Sequence, residues 1–164
     1  MTSIIKIRES TPNNPRLEEL AKQDWVKAAY AVTGHIDGIV ISKNGDTRGI
    51  DVKVIKVDKP IGENYPAILE IRPRLKLGLR RSLHNPKDLE RLTSYLMKAD
   101  GVENIYVGSR KILLLFEISV IWPLLKLNDY RQLNTFQKRL YEECGECIRG
   151  LETYCIFDDF ARRN

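Results

Sequence analysis

Cysteine is scarce in this chain, with three among 164 residues. An odd count with two of the three close together excludes a disulfide framework and predicts a reducing, cytoplasmic setting. Histidine is scarcer still. His35 and His84 stand alone, with no serine or cysteine at a spacing that suggests a nucleophile. The ten glycines are scattered, and none falls in the pattern of a P-loop or a dinucleotide-binding turn. An uninterrupted apolar run is also missing. The longest, residues 112–127, is broken by Glu117, Ser119 and Pro123, which argues against a membrane span. Lys6 and Arg8 put charge into the first eight residues, unlike a secretory signal.

What is present in excess is positive charge, and it is local. The formal charge is +5, and residues 67–111 hold ten basic against five acidic side chains, while the flanking segments nearly cancel. Within this stretch Ala67–Arg81 alternates. Ile71, Leu75, Leu77 and Leu79 fall on one side and Arg72, Arg74, Lys76 and Arg80 on the other, with no acid among them. A period of two sends successive side chains to opposite faces of a strand. The pattern predicts one face in a core and a row of cations on the other, extended by Arg81, Lys87, Arg91, Arg110 and Lys111. Cations at strand spacing suit a phosphate backbone.

Along the chain, Ser3–Arg8 reads as a strand. Asn14-Pro15 starts a helix through Leu17, Leu20, Ala21 and Trp25, and residues 34–42 and 48–57 form a hairpin across Asn44-Gly45. After the basic strand, Asn85-Pro86 starts a second helix that Gly101 stops. Residues 102–107 and 112–117 form a second hairpin, and Pro123 marks a break. Leu133, Phe136, Leu140, Cys144, Cys147, Ile148 and Leu151 keep a helical stripe up to Gly150, and residues 153–157 make a last strand. Cys144 and Cys147 have the C-x₂-C spacing of a zinc site. Because they continue the apolar stripe and lack a second pair, they read as core, and no metal site is expected.

The order from Ala67 to Phe157 is thus β-α-β-β-α-β, which resembles the ferredoxin-like fold. The expected architecture is α+β, with this half (residues 67–164) preceded by a packed β-α-β-β segment (residues 1–66). In that fold the helices cover one sheet face, and RNA-binding modules use the other. The resemblance implies a nucleic-acid-binding protein, RNA rather than DNA, acting alone or as a subunit of a ribonucleoprotein with protein partners. Those modules stack bases on aromatics, for which Tyr106 is the candidate here, so phosphate contacts carry the expectation.

Two local resemblances give alternatives. Gly34-His35-Ile36-Asp37, a hairpin and then Asp51-Val52-Lys53 are similar to the PD-(D/E)XK nucleases. That resemblance implies Mg²⁺ on Asp37 and Asp51 with Lys53 beside the nucleophile. No other cofactor is implied. Val26–Val40, VKAAYAVTGHIDGIV, resembles the ligand-binding domain of Lrp/AsnC-type regulators, without that family's helix-turn-helix. It implies an effector-binding or oligomerisation module in which Gly34 and Asp37 line the interface.

Overall fold

The computed structural model describes residues 1–8, 15–43, 49–75, 86–112 and 116–160. In chain order the elements are β1 (Thr2–Ile7), α1 (Pro15–Ala21), β2 (Val26–Val32), β3 (Gly38–Ser42), β4 (Ile50–Lys56) and β5 (Tyr65–Pro73). There follow α2 (Pro86–Lys98), β6 (Val102–Ile112), β7 (Phe116–Leu127), α3 (Tyr130–Cys144), a 3₁₀ turn (Gly145–Cys147) and β8 (Ile148–Asp159). Hydrogen bonding orders the strands β1-β3-β2-β8-β5-β7-β6-β4 in a closed barrel. No described helix is long and apolar enough to cross a membrane.

This corrects the expected α+β architecture with a ferredoxin-like half. The sequence pattern marked several of the extended segments, but it gave no strand over Val26–Val32, where β2 lies, and it did not show how strand edges are used. β1, for example, pairs antiparallel with β3 on one side and with β4 on the other. Strand lengths also differ from expectation. β6 and β7 pair from Val102↔Leu125 to Ile112↔Phe116, so β7 runs through the expected break at Pro123. Pro123 has no N–H to donate, and the ladder between β5 and β7 has a gap there, between Ile68↔Leu124 and Ile71↔Ile121, without a change of register. The basic strand ends at Pro73, so Arg74 and Leu75 lie beyond it. The Asn44-Gly45 turn and residues 76–81 lie outside the described residues.

By contact the chain divides into two units, one of residues 1–53 and 154–164 and the other of residues 54–153. In the first, α1 packs on β2, and Leu17 reaches a cluster with Ile5, Ile7, Ala29, Ala31 and Val40. Gly38 makes that approach possible, since a Cβ there would overlap Leu17 Cδ1 and stand 2.8 Å from Cδ2. In the second unit β7 lies between β5 and β6, and every residue from Ser119 to Leu127 is buried. Alternate residues of a strand face opposite ways, so both faces of β7 are covered. α2 packs on β6 and β7 through Leu92 and Leu96. α3 packs on β7, with Leu133, Phe136, Leu140 and Cys144 buried.

Candidate functional site: a cleft between two helices

Three main-chain hydrogen bonds tie together the chain around the C-terminal end of α2. Gly101 N donates to Pro60 O (2.8 Å), Lys126 N to Gly101 O (2.7 Å) and Gly62 N to Lys126 O (2.8 Å). Two glycines are required for this closeness. Gly101 has φ +89°, in the left-handed region, and its Cβ would stand 2.5 Å from Leu127 Cδ2. A Cβ on Gly62 would stand 2.7 Å and 2.8 Å from the carbonyl carbon and oxygen of Leu127. Opposite, α3 starts on Asp129, whose carboxylate accepts from Gln132 N at 2.9 Å, while Gln132 Oε1 accepts from Asn128 N at 2.8 Å. This reciprocal cap fixes the entry of α3 against the end of β7.

Between these walls lies a cleft of about 690 Å³. Leu127 and Phe136 (5% and 8% exposed) give it an apolar floor, and Ile61 an apolar lip. α2 contributes Tyr95 and Lys98, and α3 contributes Gln132, Thr135 and Arg139. Lys98 and Arg139 are exposed and have no ion-pair partner among the described residues. Lys126 also borders the cleft. Its side chain is only 7% exposed, and among the described residues it pairs with Glu103 at 4.0 Å. Asp100 is the acid of the lining. Burial pushes the Tyr95 hydroxyl up, Glu143 and Glu142 add to the shift and Arg139 opposes it, so the phenol is a neutral donor at the rim.

None of these residues stood out in the sequence as a site, since Phe136 read as core and Gly101 as a helix stop. The signal that would have found them is spacing: Gln132, Thr135, Phe136 and Arg139 are the i, i+3, i+4, i+7 face of one helix. That face carries one buried aromatic among polar residues.

The expected nucleic-acid face is overturned. The described cations do not form a row, because they are spread over β5, the segment after it and α2, and Arg72, Arg74 and Arg91 each stand beside an acid. Arg72 on β5 pairs with Glu152 at 3.6 Å and Glu70 at 4.0 Å. Arg74, past the strand, pairs with Asp88 at 3.2 Å. Arg91 on α2 pairs with Glu146 and donates to Glu143 O at 2.6 Å. Lys87 is exposed at the start of α2. Arg110 and Lys111 are described in backbone only, on β6, and Lys76, Arg80 and Arg81 lie outside the described residues. Cations already neutralised in this way do not offer phosphate a charged strip.

The nuclease constellation does not assemble either. Asp37 lies at the entry to β3, where its N–H donates to Ile7 O, and Asp51 on β4 is opposite Ser3. Four residues of β1 separate these points, about 13 Å along a strand. Mg²⁺ needs oxygens about 2.1 Å away, so the two carboxylates cannot share an ion. Lys53 is exposed on β4. Among the described residues no group of three ligating side chains gathers for a metal. Cys144 is buried at the end of α3 and Cys147 in the following turn, and both are free thiols.

The Val32–Asp37 segment forms a closed turn in which Val32 N donates to Asp37 O at 3.1 Å, and Gly34 takes φ +128°. His35 on this turn meets the hydroxyl of the fully buried Tyr154 at 3.3 Å.

No family model and no curated protein matches the sequence. Among solved structures, the siroheme decarboxylase NirDL superimposes with a TM-score of 0.63, covering 98% of this chain and 72% of that one at 7% identity. A candidate monooxygenase from Fusobacterium nucleatum subsp. nucleatum gives 0.49, covering 94% and 89% at 12% identity, and adds no argument. The first shows a common fold.

Proposed function

We propose that the chain is an effector-type, small-molecule-binding module whose ligand occupies the cleft between α2 and α3. The observation that carries this is the cleft itself. Its volume of about 690 Å³ falls within the range of ligand sites, roughly 300–1,000 Å³. Its apolar floor is bordered by polar and charged side chains that can orient a ligand, and its walls are fixed by main-chain hydrogen bonds. That a siroheme decarboxylase, a protein acting on a small molecule, is built on this fold agrees with the reading. The three free thiols agree with a reducing compartment such as the cytoplasm.

A thermal-shift screen of a small-molecule library tests this on the wild type and on Thr135→Trp, which fills the cleft from an exposed position on α3. A ligand at one hundred times its Kd adds about 2.7 kcal/mol. Hits should stabilise the wild type and lose their effect in Thr135→Trp. Stabilisation that is equal in both proteins, or no hit at all, counts against the cleft as the site.

A further inference from the structure

We infer that the cleft selects an anionic amphipath, its acid group held by Lys98 and Arg139 beside the buried Lys126 and its apolar body laid over Leu127 and Phe136. The inference rests on the proposed function and names the chemistry of its ligand.

The cations are the first argument. Three basic side chains line the cleft with the acid Asp100, and with Lys126 paired to Glu103 an excess of one positive charge remains, carried by Lys98 and Arg139. Elsewhere in this unit Arg72, Arg74 and Arg91 each have a carboxylate of their own. Lys98 and Arg139 have none among the described residues, although they lie on packed, facing helices. Two like charges brought together across a cleft repel, and an anion between them relieves that repulsion. Lys126 is the second argument. Burying an ammonium is costly unless it is paired and hydrogen-bonded, and its contact to Glu103 at 4.0 Å is longer than a hydrogen bond. An acid oxygen in the cleft would give this side chain a second, closer anionic partner. The apolar floor is the third. Leu127 and Phe136 offer no hydrogen bond, so the body of the ligand that covers them must be hydrocarbon. The neutral Tyr95 hydroxyl at the rim is a donor, again suited to an anion.

The test uses four probes of one chain length: sodium octanoate, octyl phosphate, 1-octanol and octylammonium chloride. Each is titrated into the full chain and followed by amide NMR shifts at Gly62, Gly101 and Thr135. One or both anions should bind, about tenfold more tightly than octanol, which is what two exposed charge contacts supply. Which anion is preferred tells carboxylate from phosphate chemistry. Lys98→Met and Arg139→Met, at exposed positions that keep the hydrocarbon stem, should each weaken the anion about two- to fivefold and leave octanol unchanged. If octanol or octylammonium binds as well as the anions, or if the methionine variants leave anion affinity intact, the inference is overturned while the small-molecule reading survives. If none of the four binds, the inference also falls. The proposed function is then decided separately by the library hits and their loss in Thr135→Trp.

Discussion

Replacing Tyr106 by Phe should remove a defined part of the alkaline destabilisation of this protein. Tyr106 lies on β6 opposite Trp122 and is 3% exposed. Burial pushes its hydroxyl up from the ordinary 10.0 to about 12. A hydrogen bond from Asn104 Nδ2 at 3.5 Å opposes the shift, and the charge of Glu103 adds to it. A folded-state value above the unfolded one means that the folded protein holds the proton more tightly. The contribution is therefore complete below pH 10 and is lost as pH rises from 10 to 12. Two units correspond to about 2.7 kcal/mol in full, and linkage gives about 1.3 kcal/mol between pH 9 and pH 11. The assay is guanidinium denaturation of wild type and Tyr106→Phe at both pH values. Taking the difference between the proteins cancels the titration of the lysines and the other tyrosines. Wild type should lose about 1.3 kcal/mol more than Tyr106→Phe over this interval. Equal losses would mean that Tyr106 ionises near 10 and that its hydroxyl is not desolvated. A larger loss in the variant would refute the sign of the argument.

Three further outcomes are expected. Gly38→Ala should cost about 1–3 kcal/mol in chemical denaturation through overlap with Leu17, and Leu17→Ala should then cost less in that background than in wild type; additive losses would show that the two sites do not meet. Gly101→Ala should destabilise by at least about 1–2 kcal/mol, from its φ of +89° and the contact with Leu127, and should shift the amide signals of Gly62; an unchanged spectrum would count against the clamp beneath the cleft. With an aromatic disulfide reagent Cys155 should react first. Cys144 and Cys147, buried and with thiols pushed up by desolvation, should react only as the protein unfolds, so three equal native rates would contradict their burial.

The sequence alone determined which residues are buried more surely than the shape of the chain that buries them. Leu17, Leu20, Ala21 and Trp25 read as one helical stripe, and all four do pack against one cluster. Yet α1 stops at Ala21, and Trp25 reaches the same core from a turn closed by Val26 N donating to Gln23 O. The stripe from Leu133 likewise continues to Cys147 and Ile148, but α3 ends at Cys144, and Ile148 and Leu151 belong to β8. Periodicity reports exposure to a common interior, and a turn can keep that phase as well as a helix can.

Charge was legible as composition but not as surface. The sequence alternates over Ile71–Arg80, but the strand ends at Pro73, and the pattern could not contain Glu152, Asp88 and Glu146, brought to Arg72, Arg74 and Arg91 from other elements. Tertiary structure alone decided the cleft as well. Its lining comes from a loop, the end of α2, the end of β7 and one face of α3, joined by hydrogen bonds between residues about 25 to 65 positions apart. Local sequence carries the preference of each segment for helix or strand. Which acid reaches which base, and which cations are left without one, depends on the pairing of distant backbones, and no local pattern records that.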